Sequence, residues 1–268
     1  MSRRKIKQPR YVFWTSGWDS TYMVIKLLRD GYTVQPIYII NPKRKSRHHE
    51  LLALQSLSRL ISQRIKAGEL LPYQTFDLRT IKTDPTITQA FTNIMDQLPE
   101  GQRPLGYQYH YLANFAKQHP EFPVIGIGLE RALSPDQCAC SAIIRQFGQL
   151  TPDHRIAESS SPDLITLLGR FDFPVIDTTE VEMAKNIKSW GYEDIMQHIW
   201  FCHKPIRGVQ CGFCNPCSSK IIGQMDFLLP PSALSRYHKI QHFEQRHGKI
   251  AKKLLGLFYR FRGHWILT

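Results

Sequence analysis

Apolar and polar positions alternate between two rhythms along this chain. Tyr11–Trp14 is a short apolar run followed by Thr15, Ser16 and Gly17. An amphipathic stretch then runs from Asp19 to Arg29, and Gly31 ends it. This order predicts a strand, a small-residue turn and a helix. Thr33–Ile40 is rich in β-branched and aromatic residues and predicts a second strand, broken by Asn41-Pro42. Leu51, Leu54, Leu57 and Ile61 recur at helical spacing, so a long helix is expected over His49–Lys66. Tyr73–Leu78 predicts a third strand, and Thr86–Leu98 and Tyr107–Gln118 predict helices separated by a loop at Pro99–Pro104. Phe122–Gly128 has the composition of a buried strand. Thr151–Pro162 is polar and expected to be loop, and Phe173–Ile176 precedes a helix near Glu180–Trp190. Strands alternating with helices predict an α/β fold, with a mostly parallel, doubly wound sheet. The pattern divides into an α/β domain over 8–200, a cysteine-bearing segment over 201–231 and a basic helical extension over 232–268.

Those cysteines change the picture most. Cys202, Cys211, Cys214 and Cys217 lie in the run FCHKPIRGVQCGFCNPC. Zinc takes four thiolates at tetrahedral corners, and a Cys-x2-Cys turn places two of them on one ion. Gly208 and Gly212 let the backbone turn tightly there, and Pro205 and Pro216 stiffen it. A closed structural Zn2+ site is the expectation. An iron–sulfur cluster, buried free thiols and disulfides are the alternatives. Disulfides fit poorly, because the basic start MSRRKIKQPR has no apolar leader segment behind it. The chain therefore reads as cytoplasmic, where thiols stay reduced.

Charge adds a partner. The chain has 35 Lys+Arg against 22 Asp+Glu, a formal net charge of +13. Such a surface attracts polyanions or an acidic protein. Ser232 to Thr268 holds eight Lys/Arg and one acid, Glu244. Within it Leu254, Leu255, Leu257, Phe258 and Phe261 supply an apolar side at helical spacing. A second basic cluster is Lys43, Arg44, Lys45, Arg47, His48 and His49. The bland reading of both is a solvated face. No apolar run is long enough to span a membrane.

The first turn carries FWTSGWDSTYM. Thr15, Ser16, Gly17, Ser20 and Thr21 gather where backbone N–H groups and the positive helix end suit an anion. Asp19 can cap the helix or meet a nucleotide-borne Mg2+. Small polar residues at such a junction also serve simply as a cap.

Here the chain resembles a family. Thr15-Ser16-Gly17-Trp18-Asp19-Ser20 is similar to the Ser-Gly-Gly-x-Asp-Ser loop of the pyrophosphate-loop adenylating ATPases. Cys202, eight residues, then Cys211-Gly212-Phe213-Cys214-Asn215-Pro216-Cys217 resembles the 7-cyano-7-deazaguanine synthase branch, of the queuosine pathway. Arg47-His48, the Gly126–Glu130 strand end and Pro135-Asp136-Gln137-Cys138 resemble further segments of that branch. The resemblance spans roughly residues 10 to 225. It implies an ATP-dependent ligase that adenylates the carboxylate of 7-carboxy-7-deazaguanine and forms an amide or nitrile. It implies ATP and Mg2+ at Thr15, Ser16, Gly17, Trp18, Asp19, Ser20, Thr21 and Tyr38, with Asp19 and Ser20 catalytic. It implies the deazaguanine at Arg47, His48, Glu130, Asp136 and Cys138, and a homodimer.

Some family cations are absent. Pro104-Leu105-Gly106-Tyr107-Gln108 lacks the branch's arginine, and Thr178 stands where it carries a lysine. Arg103, Lys185 or Arg131 are the expected substitutes. Other readings are transfer of the deazaguanine to a protein amine in antiviral defence, tRNA thiolation with Cys138 and Cys140 as sulfur carriers, or a nucleic-acid-binding module without catalysis.

Overall fold

The computed structural model describes residues 8–131 and 139–246. β1 (Arg10–Phe13) leads through residues 14–17 into α1 (Trp18–Arg29), then β2 (Thr33–Ile40) and α2 (Arg47–Arg64). β3 (Glu69–Leu70) and β4 (Gln74–Asp77) follow, then α3 (Pro85–Asp96), α4 (Gln108–Gln118) and β5 (Ile125–Ile127). The chain continues through α5 (Ala139–Phe147), α6 (Pro162–Leu168), β6 (Phe171–Asp172), α7 (Glu180–Trp190), α8 (Glu193–Met196) and α9 (Asn215–Ile222). A last helix, α10, is described over 231–246.

Local chemistry explains the boundaries. Asp84 accepts hydrogen bonds from the Thr86 and Ile87 amides and starts α3 with Pro85 at its first position. Thr179 and Glu182 form a reciprocal capping box at α7. β3 and β6 are two residues long, too short to leave a periodic signal.

The strand order is β3-β2-β1-β5-β6, with β4 pairing farther along β2, and every pairing is parallel. Parallel sheets need cover on both faces, and neighbouring residues of β1 show it. Val12 enters a cluster with Tyr22, Met23, Leu54, Leu57 and Met183. Phe13 enters the opposite cluster with Ile37, Phe115, Ile125 and Phe171. The expected α/β architecture with a mostly parallel sheet is present. The four cysteines belong to the Val12 cluster and so build one face of the main core. Among the described residues no helix is long and apolar enough to cross a membrane.

β1 lies between β2 and β5, so strand order reverses there. Connections leaving the strands on the two sides of such a point diverge and open a crevice at the carboxyl edge of the sheet. The segments after β1 and β5 border it. Gly128 makes their approach close: a Cβ there would lie 2.7 Å from Ser20 Cα and N.

Candidate phosphate cleft and metal centre

The loop after β1 is held from within. Ser20 Oγ donates to the Gly17 carbonyl at 3.3 Å, and the Thr15 amide donates back to Ser20 Oγ at 3.4 Å. Ser16 is fully buried with φ 60, a left-handed conformation that is costly for a residue with a Cβ. The Trp200 amide donates to the Ser16 carbonyl at 2.9 Å and holds that conformation. Trp200 also stacks on His49, with centroids 4.3 Å apart, and its Nε1 donates to the Cys202 carbonyl at 2.9 Å. One residue, through its amide and its indole, thereby ties the loop, α2 and the cysteine segment together. Nothing in the sequence pattern marks Trp200 for this task.

The cleft that results has a volume of about 240 Å3. The loop contributes Thr15, Gly17, Trp18 and Asp19, and Glu130 comes from the end of β5. Asp19, Glu130 and Glu180 bring carboxylate oxygens within 4.8 Å of one another. Lys220, from α9, is buried and ion-paired with Glu180. Burial pushes the Glu130 carboxyl up to about 8; the Asp19 carboxylate adds to the rise and Lys220 opposes it. Asp19 Oδ1 and Glu130 Oε2 are buried without hydrogen-bond partners. Orphaned acceptors facing one another are costly, and a divalent cation or a proton would satisfy them.

The sequence-derived residues divide. Thr15, Gly17, Trp18, Asp19 and Glu130 line the cleft, with Ser20 directly behind the loop. Thr21 does not face it: its hydroxyl accepts from the Trp14 indole at 3.0 Å in the core. Tyr38 does not line it either; it is buried behind Glu50, donating to Glu50 Oε2 at 2.8 Å. Arg47 and His48 are exposed on the first turn of α2 and do not line the cleft. Arg44 and Glu50 line it in their place, ion-paired at 3.2 Å. Glu50 is drawn in by hydrogen bonds from Tyr38 and Ser46, whereas Arg47, at the first position of α2, stays exposed. Asp136 and Cys138 lie outside the described residues. Cys140 is buried in the Phe13 cluster.

Of the three cations expected to replace the missing ones, only Arg103 lines the cleft. Arg131 is exposed and pairs with Glu182 at 2.8 Å, and Lys185 borders a different cavity. Lys220 is the unforeseen cation. It lies 90 residues beyond Glu130 in the chain, and only the fold of the cysteine segment brings it there.

That segment is the candidate metal centre. Cys202, Cys211, Cys214 and Cys217 are all buried, and their Sγ atoms lie within 4.8 Å of one another. Cys211–Cys217 and Cys202–Cys214 are each 3.9 Å apart. A tetrahedral ion with metal–sulfur bonds of about 2.3 Å sets sulfurs about 3.8 Å apart, so the set fits. The Cys211 amide donates to Cys202 Sγ, and the Cys214 amide to Cys211 Sγ, each at 3.2 Å, which favours thiolates. Gly212 has φ 87, and a Cβ there would strike the Ala233 carbonyl oxygen. Arg236 of α10 donates to the Cys211 and Gln210 carbonyls at 2.9 and 2.7 Å and clamps the loop. Four buried protein ligands leave no open position, as in a structural site.

The two sites share one helix. Cys214 caps α9 and Cys217 lies in its first turn. Asn215, Pro216, Ser219 and Lys220 of the same helix line the cleft.

The chain matches no protein-family model and no curated protein.

Proposed function

We propose that the chain is an ATP-dependent adenylating ligase of the pyrophosphate-loop type that activates the carboxylate of a 7-deazaguanine. One observation carries this reading: a Thr-Ser-Gly-x-Asp-Ser loop opens α1 at the reversal point of a parallel sheet, beside acids and a buried lysine. Helix N-termini at that position favour phosphate.

A free carboxylate is a poor electrophile. Attack of its oxygen on the α-phosphorus of ATP forms an acyl adenylate and releases pyrophosphate. An amine then attacks the acyl carbon and AMP leaves. In this chain the residue 15–20 loop would cradle the departing pyrophosphate. Lys220 and Arg103 would meet phosphate charge. Asp19, Glu130 and Glu180 fit a divalent cation such as Mg2+, which would neutralise charge on the phosphates. Protonated Glu130 would release its proton to solvent as the cation bound, and its carboxylate would then hold the cation. The four-cysteine centre fits Zn2+ and would hold α9 in place. Reduced thiolates of this kind support a cytoplasmic protein.

The acceptor amine is ammonia in the first reading. A protein amine is favoured by one further feature. Exposed Lys43, Lys45 and Arg47 lie at and just before the start of α2, and exposed Lys204 and Arg207 lie on the segment against which α2 packs through the His49–Trp200 stack. That rim would attract an acidic partner. The strongly basic stretch beyond residue 246, including Leu254, Leu255, Leu257, Phe258 and Phe261, lies outside the described residues.

The test is incubation with ATP, Mg2+ and 7-carboxy-7-deazaguanine, with and without ammonium, followed by mass spectrometry of base and nucleotide. AMP release dependent on the base, and lost in Asp19→Ala, is expected. A folded protein that neither binds nor consumes ATP would refute the reading and leave a binding module.

A further inference from the structure

A second cavity, of about 540 Å3, lies behind the loop between α7, α8 and the turn that follows α9. Its volume falls in the range of small-molecule sites, about 300–1,000 Å3. Trp18 belongs to its wall as well as to that of the phosphate cleft. The remaining floor is apolar, with Ile187, Met196 and Met225 buried.

Four features make it more than a greasy dent. Trp18 is 2% exposed, and its Nε1–H is buried with no acceptor. Buried indole donors normally find a partner. Phe227, 64% exposed, stands edge-on to Trp18 with centroids 6.4 Å apart and gives the mouth an aromatic side. Lys185 and Lys188 project from successive turns of α7 at the rim, and neither forms an ion pair among the described residues. Gln224 at the rim is held at φ 60, and Gln210 adds a second amide. Strained backbone of this kind clusters at ligand sites. One acid, Glu193, lines the cavity against the two lysines.

We propose that this cavity binds a planar aromatic molecule bearing a negatively charged group. The ring fills the apolar floor beside Trp18 and Phe227, and an acceptor on it meets the indole N–H. The anionic group reaches Lys185 and Lys188. The site shares Trp18 alone with the lining of the phosphate cleft and does not depend on the adenylating chemistry. Because Trp18 is the first residue of α1 and directly follows Gly17, an occupant touches the residue that begins the phosphate-loop helix.

The experiment uses the full chain and anilinonaphthalene sulfonate as a fluorescent probe, with 2-naphthoate and the neutral 2-naphthalenemethanol as competitors. The expected result is saturable binding of one probe per chain, displaced by 2-naphthoate and far less by the alcohol. Lys185→Glu/Lys188→Glu changes two rim positions outside the core, so the fold is kept, and binding weakens by about tenfold. Asp19→Ala, in the other cleft, leaves it unchanged. In an NMR spectrum of the indole N–H groups, the signal that Trp18→Phe removes shifts on adding 2-naphthoate. Equal displacement by the alcohol, or indifference to charge reversal, overturns the anion assignment. An unmoved Trp18 signal overturns the location. Absence of saturable binding by folded protein overturns the proposal and leaves a surface for a macromolecular partner.

Discussion

Replacing Lys220 by methionine keeps an unbranched side chain of similar reach and deletes its charge. The wild-type Lys220 and Glu180 side chains are 7% and 16% exposed, so water replaces little of what is lost. Glu180 would be left facing Asp19 and Glu130, all within 4.8 Å, with no cation from α9 among them. Removing one partner of a buried ion pair costs about 3–5 kcal/mol. Glu180 keeps some access to solvent, which places Lys220→Met near about 3 kcal/mol. Glu180→Gln is milder, about 1–2 kcal/mol, because the ammonium still faces Glu130 and Asp19. In the double variant the methionine no longer strands a charge on the residue opposite it. The two changes should then show a favourable coupling of about 2 kcal/mol. Urea unfolding at pH 7 of the wild type, the two single variants and the double variant measures it. Simple additivity, to within about 0.5 kcal/mol, would refute the account of Lys220 as the counter-charge of a buried acidic group.

Three further outcomes follow from the same geometry. Purified protein should hold about one zinc per chain, and Cys214→Ser should lower metal content and melting temperature together, as binding and folding are linked; metal loss at an unchanged melting temperature would refute a structural role. Gly128→Ala should destabilise by about 1–3 kcal/mol, since its Cβ meets backbone of Ser20 at 2.7 Å, whereas Gly17→Ala meets only side-chain oxygens at 3.6 and 3.9 Å and should cost little in thermal unfolding. Glu130 holds its proton up to about 8 in the folded protein against an ordinary 4.5, so the native state binds the extra proton between those values and stability should fall as pH rises from 5 to 8; the slope attributable to it approaches about 1.4 kcal/mol per pH unit near pH 6.5 and should vanish in Glu130→Gln, and an identical pH profile in both proteins would show that the carboxyl is ionised throughout.

Elements with strong local signals were legible in the chain. β2 coincides with Thr33–Ile40, and α7 with Glu180–Trp190, where a capping box and Gly191 mark both ends. α5, α6, α8 and α9 are not among the helices that the pattern predicts. α9 is hidden inside the Cys-Pro-Cys run, where ligand spacing masks helical spacing. The gathering of the four cysteines was fully legible, because thiols so close in sequence can close on one point using local backbone alone. Arg47-His48 fared differently: the dipeptide opens α2 and stays exposed, while Glu50, held by Tyr38 and Ser46, is the residue that reaches the cleft.

The cleft shows why a loop motif alone is an incomplete description of a site. Thr15–Ser20 carries the donors, and its shape depends on residues from four distant places. Gly128 permits the approach, and Trp200 holds Ser16 at φ 60. Glu180 adds the third acid, and Lys220 adds the opposing charge. All four lie far from the loop in sequence, and no local pattern announces Trp200 or Lys220. Trp200 and Lys220 share one support, the cysteine-centred segment, which anchors Trp200 through the Cys202 carbonyl and Lys220 through α9. A metal held by the four cysteines would therefore govern the cleft's charge balance from outside it. Removing such an ion should release Lys220 and Trp200 together, so that the acids would lose their counter-charge as the loop lost its clamp.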